Sequence, residues 1–163
     1  MNSTSYFSRS FRTVLVSALG ICFLVSASHA TQATGAKTTF AQTLVESTHA
    51  HHPETTEIGI AARSSRGCET IASTDRGDIG EKCEKDDLTP MKTGNPFVEK
   101  EKDGFDVSLP LHDAQGKMVG TVGIEFKSEP GQTESSVLAQ AKTIAAEMET
   151  HIPSKAKLYE RTE

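Results

Sequence analysis

Three polar side chains lie on one side of a predicted hairpin, where they could bind a small polar molecule. Asp106 and Ser108 alternate with apolar residues across Phe105–Leu111, and Thr121 lies in the next strand. Residues two apart in a strand point to the same face, so these groups lie opposite the apolar core. They are solvated if that face is open. If a loop covers it they need partners, which a ligand could supply, and Arg63 could add charge for an acidic ligand.

A cluster of three histidines is the second group with possible chemistry. His49, His51 and His52 form a His-x-His-His pattern, and imidazole binds zinc, copper and nickel. We place them in a helix that ends near Pro53, and side chains two residues apart diverge on a helix. Two interpretations stay open: a metal site, or solvated histidines at a helix end that favours cations. The spacing favours the second.

Catalytic arrangements are harder to find. A nucleophile needs a base and an orienting group, and the sequence has no Gly-x-Ser-x-Gly, which leaves Ser64-Ser65 as a weak candidate. The acidic residues of 81–87 are mixed with lysines, which is typical of a solvated loop, and lack the spacing of a calcium loop. We therefore predict that the protein is not an enzyme and has no cofactor.

The amino terminus has the three parts of a secretory signal peptide. Arg9 and Arg12 precede an apolar run over 14–27, and Ser28-His29-Ala30 provides small residues for cleavage. The alternative is a retained membrane anchor, but the run is shorter than the roughly 20 residues that span a bilayer. We predict a signal peptide over 1–30, export to the periplasm and no membrane span after cleavage.

Composition restricts the partners of the remaining chain. Removing Arg9 and Arg12 with the signal changes the formal net charge from −5 to −7. An acidic domain has no electrostatic footprint for nucleic acid. Only Cys68 and Cys83 remain. In an oxidising compartment they predict one disulfide, worth roughly 3 kcal/mol for a loop of this length, whereas zinc would need further ligands.

Hydrophobic periodicity predicts an α+β domain over 38–153, between a flexible leader (31–37) and a frayed tail (154–163). Helical spacing is found at 39–50 and again from Val137 to Ile152, while alternation predicts strands. The predicted strands cover 57–63, 69–73, 97–100, 105–111 and 118–126. A long connection (74–96), with at most one helical turn at 87–92, separates the second strand from the third. We predict a five-stranded antiparallel sheet of order 2-1-5-4-3, with helices on one face and the connection on the other.

The last hairpin resembles that of extracellular PAS-like sensor domains of the single Cache type. Residues 110–120 read Pro-Leu-His-Asp-Ala-Gln-Gly-Lys-Met-Val-Gly, where those domains often have Pro-Leu-x-Asp-x-x-Gly-x-x-Ile/Val-Gly. His52-Pro53-Glu54, Ile79-Gly80 and Asp86-Asp87 are similar to landmarks of small periplasmic members. The resemblance covers about 38–127 and implies a PAS-like fold with a small-metabolite pocket on the sheet, under the connection.

The chain departs from this family in two ways. Membrane receptors of the class continue into a transmembrane helix and a signalling module, which we do not expect here. Amino-acid-binding members have an aromatic and arginine signature after the second strand, and no Tyr or Trp lies between residues 31 and 158. The resemblance therefore does not imply an amino acid ligand.

These observations predict a stand-alone periplasmic domain that binds a small molecule without catalysis. The ligand would lie between the connection and the sheet, in contact with Asp106, Ser108 and Thr121 and with Arg63 at the edge. Two alternatives remain open. The protein could be an accessory partner that docks on a membrane receptor or another periplasmic protein, or it could bind metal through the histidine cluster.

Overall fold

The structure, a computed structural model, describes residues 38–162. The predicted signal peptide and leader, and Glu163, lie outside the described residues. The elements within that range are α1 (Phe40–His51), β1 (Thr55–Ser64), β2 (Gly67–Ser73), α2 (Lys85–Thr93), β3 (Phe97–Lys100), β4 (Gly104–His112), β5 (Met118–Lys127), α3 (Glu134–Thr150) and α4 (Lys155–Leu158). Of these helices, none is both long and apolar enough to cross a membrane.

The five strands form one antiparallel sheet. Its strand order is β2-β1-β5-β4-β3, so β1, β5 and β4 are the internal strands. This arrangement confirms both the predicted α+β class and the predicted order. The two tight connections, from β3 to β4 and from β4 to β5, make three consecutive strands neighbours, as expected for a meander.

The core lies between one sheet face and helices α1 and α3. Cross-strand register places Val107 opposite Ile124 and Leu109 opposite Val122 on this face. The apolar stripe of α3 that packs against the sheet contains Val137, Ala141, Ile144, Ala145 and Met148. Each fully buried large aliphatic side chain contributes roughly 1.5–3 kcal/mol, so this face stabilises the domain and positions the strands.

The opposite sheet face is covered by the connection, residues 74–96. Its helix α2 packs on β4 and β5, where Thr121 Oγ1 donates a 2.8 Å hydrogen bond to the backbone oxygen of Asp87. The helix is longer than the single turn that the sequence predicts. The Asp87 carboxylate accepts a hydrogen bond from the backbone N–H of Glu84 at its start, and Gly94 ends it with a left-handed φ of 73°.

A disulfide between Cys68 and Cys83 confirms the predicted pairing. It joins the start of β2 to a residue two positions before α2. Backbone hydrogen bonds extend the same attachment, because the N–H of Thr70 donates to Glu81 (2.9 Å) and the N–H of Gly80 donates to Thr70 (2.9 Å). The first half of the connection therefore follows the edge of β2, and α2 continues over the sheet.

The prediction of a frayed tail differs from what is found over residues 154–162. Ser154 caps α4, and Leu158 is fully buried. The backbone oxygen of Glu160 accepts a 2.7 Å hydrogen bond from the N–H of Phe40, one of the donors that a helix start leaves unsatisfied. The buried side chain of Leu158 and the backbone hydrogen bond to Phe40 order this segment. Neither interaction produces a periodic pattern in the sequence.

Candidate functional site

A cavity of about 210 Å³ lies between the connection and the sheet. We call it the acidic cavity, because eight carboxylic acids and a single lysine line it. The sheet contributes Glu57, Gly59, Ile60, Ala61, Thr70, Asp106, Gly123 and Glu125; the connection contributes Asp78, Glu81, Lys82, Glu84, Asp86 and Asp87. A ligand in this space would contact both layers.

Three of the carboxylates form a row across the internal strands. Glu57 on β1 lies opposite Glu125 on β5, and Glu125 lies opposite Asp106 on β4. Neighbouring strands are about 4.8 Å apart, so this carboxylate row brings three like charges side by side. Like charges at directly opposed positions destabilise a sheet. A cation bound beside the row would therefore reduce the repulsion among its carboxylates.

The floor of the cavity is open because the next row of the sheet has almost no side chains. Gly59 lies opposite Gly123, and Gly123 lies opposite Ser108. Neither glycine has a positive φ. A Cβ at Gly123 would find its nearest neighbour, the Ser108 hydroxyl oxygen, at 3.8 Å. The glycines are thus not required by backbone geometry, and their effect is to leave room above the sheet.

The environment of the row makes two of its acids difficult to ionise. Burial, followed by the nearby charges of Asp86 and Glu125, raises the pKa of Asp106 to about 7. Burial and a hydrogen bond with Asp78 raise the pKa of Glu57 to about 7 as well. Both shifts have the causes expected for partly desolvated acids that face other acids.

The same effects extend to the centre of the row and to α2. Burial and the neighbouring Asp86 raise the pKa of Asp87 to about 6. Burial and the charge of Glu101 raise the pKa of Glu125. Strongly shifted acids grouped in a cleft are typical of functional sites, although structural charge networks also produce them. Near neutral pH the cavity can therefore exchange protons for another cation.

Asp106 and Ser108 lie where the sequence predicts them, on the sheet face beneath the connection. Asp106 lines the acidic cavity. Ser108 is 1 % exposed, and its hydroxyl has no hydrogen-bond partner among residues 38–162. A buried hydroxyl without a partner is costly. Ser108 is not itself among the lining residues, and its oxygen lies just behind the floor, 3.8 Å from where a Cβ of the lining residue Gly123 would be.

The other two predicted site residues lie elsewhere. Thr121 is fully buried, and its hydroxyl is used in the bond to α2, so it holds the cover on the sheet. Arg63 is exposed and lines a separate cleft with Met91 and Met118. Arg63 is not among the residues that line the acidic cavity, although it follows the lining residue Ala61 by two positions on β1.

Sequence reasoning missed most of the acids of the cavity. Glu57 alternates with Ile58, and Glu125 alternates with Ile124, so the period of two already places both on the polar face. Their position beside Asp106 becomes visible only when the strands are aligned side by side in the predicted order. Asp86 and Asp87 were interpreted as a solvated loop face because a mixed charge run does not reveal that α2 folds over the sheet.

The histidine cluster does not converge on one point. His49 Nδ1 is 2.8 Å from Thr55 Oγ1, and His51 Nδ1 is 2.8 Å from the backbone oxygen of Ser47. His52 instead contacts two carboxylates, those of Glu54 and Glu147. The three rings have separate partners, as expected from their divergence on the last turn of α1.

One group of potential metal ligands does occur within residues 38–162, beside the acidic cavity. Glu57, Asp75 and Asp78 each offer an oxygen within 4.8 Å of the others. Asp75 is exposed and also accepts a hydrogen bond from the N–H of Gly77. Three partly solvated carboxylates provide few of the six to eight oxygens that calcium prefers, so this group alone does not define a metal site.

Comparison with known proteins supports the fold. No family model matches the chain, and no curated protein matches its sequence. The structure is similar to the inducer-binding domain of the transcription factor PobR from Acinetobacter, a double mutant solved with 3-hydroxybenzoic acid. The two are 8% identical, the match covers 71% of this chain and 96% of that one, and the TM-score is 0.50.

Two other solved structures have lower TM-scores. The PixJ GAF domain of Thermosynechococcus elongatus is 12% identical over 69% of this chain and 82% of its own, with a TM-score of 0.47. A free methionine-R-sulfoxide reductase from Thermoplasma acidophilum is 14% identical over 72% and 91%, with a TM-score of 0.46. At such identities likeness concerns the fold alone. The chain shares its α+β fold with the PobR domain, while the PAS-like Cache assignment stays a prediction.

Proposed function

We propose that this chain is a periplasmic sensor-type domain that binds a small molecule in the acidic cavity and does not transform it. The observation that carries the proposal is the open-sided cavity between the connection and the sheet. A connection that packed fully against the polar sheet face would be more stable than one that leaves a cavity. The cavity is therefore not explained by the stability of the fold.

Two further observations support this function. The PobR domain that shares the fold was solved with a small molecule bound, and this chain matches nearly all of that domain. The Cys68–Cys83 disulfide suits an oxidising compartment, in agreement with the predicted signal peptide. The absence of catalysis is part of the proposal, because mutual repulsion and burial already account for the shifted acids of the cavity.

Filling the floor of the cavity tests the function directly. Gly123→Val adds a strand-favouring side chain at a position where a Cβ has no close contact. We expect wild-type protein purified from cells to show a bound small molecule in native mass spectrometry, and Gly123→Val to lose it while melting cooperatively. Gly123→Ala, which adds only a methyl group, is the matched control and should keep most of the ligand.

The outcomes separate this function from its rivals. A ligand that is retained at full occupancy by Gly123→Val would show that it binds elsewhere. If neither protein carries a small molecule but both retain the same protein partner, the docking alternative replaces the proposal. Recovery of the ligand with a changed mass after incubation with fresh protein would contradict the absence of catalysis.

A further inference from the structure

We propose that the acidic cavity selects a compact organic cation, an amine whose N–H groups bind the carboxylate row and the Ser108 hydroxyl. This inference rests on the proposed function and adds the chemical class of the ligand. Charge, hydrogen-bonding capacity and size of the cavity each support it independently.

The first argument is the charge of the walls. Among residues 38–162, none of the eight cavity carboxylates takes part in an ion pair. Lys82 is the only cationic side chain in the lining, and it is exposed. An anion such as the 3-hydroxybenzoic acid bound by the PobR domain would meet repulsion here. A cation would relieve the repulsion among groups that already oppose one another.

The second argument is independent of the acids and concerns hydrogen bonding. The hydroxyl of Ser108 is buried, has no partner within the described chain, and lies beside the cavity floor, 3.8 Å from where a Cβ of Gly123 would be. A hydroxyl oxygen accepts from an N–H group, as carboxylates do. An amine lying over Gly59 and Gly123 would thus donate to the carboxylate row on one side and to Ser108 on the other.

The third argument is size. A volume of about 210 Å³ equals roughly seven water molecules at about 30 Å³ each. That is below the range of typical drug-sized pockets, about 300–1,000 Å³. A ligand with one or two amino groups on a short carbon chain fits this space, and its methylene groups would contact the methyl group of Ala61.

A divalent metal ion satisfies these observations less well. Calcium needs six to eight oxygens at about 2.3–2.6 Å, and the close group formed by Glu57, Asp75 and Asp78 lies at one end only. A metal held there would leave Asp106 and the Ser108 hydroxyl unchanged. An extended amine reaches both, because the row spans three strands, and we therefore favour it over a metal.

The test compares molecules of one shape and different charge. Purified protein is titrated calorimetrically with ethanolamine and 1,4-diaminobutane, with the neutral isostere 1,4-butanediol, with succinate and with calcium chloride. We expect saturable binding of at least one amine and none of the diol or succinate. Asp106→Asn should weaken amine binding about ten- to a hundredfold, as expected for the loss of a charge-assisted hydrogen bond.

Two variants sharpen the interpretation. Glu129→Gln makes the same change of charge at an exposed residue that does not line the cavity, and it should leave amine affinity unchanged. Ser108→Ala should weaken the amine about two- to tenfold without lowering the melting temperature of the free protein. A purely structural serine would instead alter stability and leave affinity unaffected.

Failure of this inference and failure of the proposed function give different results. If the diol, succinate or calcium binds, if no amine binds, or if Asp106→Asn leaves amine affinity intact, the ligand class is wrong. The proposed function survives that result if Gly123→Val still removes a co-purified ligand. If no probe binds and native mass spectrometry finds no ligand in the wild type, the function itself is overturned.

Discussion

Asp106 lowers the stability of the fold and at the same time provides a charged group for ligand binding. It lies in an internal strand opposite Glu125, with Asp86 and Asp87 facing it from α2. Its charge is partly desolvated and has only other acids near it. Residues of this kind lower the stability of the free protein and are typical of positions maintained for binding.

The acids of the cavity predict opposite effects of pH on folding and on binding. The pKa values of Asp106 and Glu57 are raised to about 7, against about 4 in an unfolded chain. The native state therefore binds more protons between these values. The stabilisation is complete below pH 4 and is lost as pH rises through about 7. Cation binding needs ionised acids, so it should strengthen over the same interval.

We expect the free protein to melt several degrees higher at pH 5.5 than at pH 8, and the stabilisation by 1,4-diaminobutane to be larger at pH 8. Differential scanning calorimetry measures both. Asp106→Asn should reduce the change in melting temperature of the free protein between pH 5.5 and pH 8. If the melting temperature of the free protein and the stabilisation by 1,4-diaminobutane both rise, or both fall, with pH, this explanation is wrong. Charged groups facing the row from each neighbouring element are Glu99 and Glu101 near β3, Asp78, Glu81, Lys82, Glu84, Asp86 and Asp87 in the connection, and Glu125 in β5.

At the scale of elements, the disulfide holds the cover of the cavity. Replacing Cys68 and Cys83 together by serine removes the link between β2 and the connection and leaves no cysteine in residues 31–163. We expect a loss of about 3 kcal/mol in the free energy of unfolding, measured by urea denaturation. Ligand affinity should fall as well, because the acids of the connection would no longer be held over the sheet.

The control for this variant is the wild-type protein treated with reductant, which should show the same loss of stability. An affinity that is unchanged in the double variant would mean that the packing of α2 alone, with its bond from Thr121 to Asp87, keeps the cover in place.

The strands could be predicted from sequence because each alternates between an apolar and a polar face. Phe105–Leu111 is the clearest case, and tight turns at Asp103-Gly104 and Gln115-Gly116 separate it from its neighbours. The sheet order followed from these turns and the long connection. α2 was underestimated because its sequence has no apolar stripe: Pro90 is its only fully buried residue.

The sequence predicts only those residues of the site that lie together on a single strand. Asp106 and Ser108 were found because they share a face within β4. Glu57 and Glu125 join them only through the register of three strands, which depends on a bulge in β4–β5 pairing and a further irregularity near Thr55. Arg63 follows the lining residue Ala61 by two positions on β1, and it lines the neighbouring cleft beside Met91 and Met118.

At the scale of the whole molecule, the two ends of the described chain stabilise each other. The backbone of Thr162 donates to Thr38 at 2.8 Å, and Leu158 is completely buried beside α1. Leu158→Ala should cost about 2–5 kcal/mol in the free energy of unfolding, as measured by urea denaturation. Tyr159→Ala, at the exposed neighbouring position, is the control. Equal, small effects of both variants would mean that the tail does not belong to the core.

Export is the last prediction, and it concerns the chain as a whole. The signal-like segment ends at Ser28-His29-Ala30, so cleavage should release a protein that begins at Thr31. The remaining cysteines then meet an oxidising compartment, where the disulfide forms. We expect the intact mass of the exported protein to equal that of residues 31–163 less two hydrogens. Uncleaved chain in the membrane fraction would contradict cleavage, and two reactive thiols in the exported protein would contradict the link between export and the cover of the cavity.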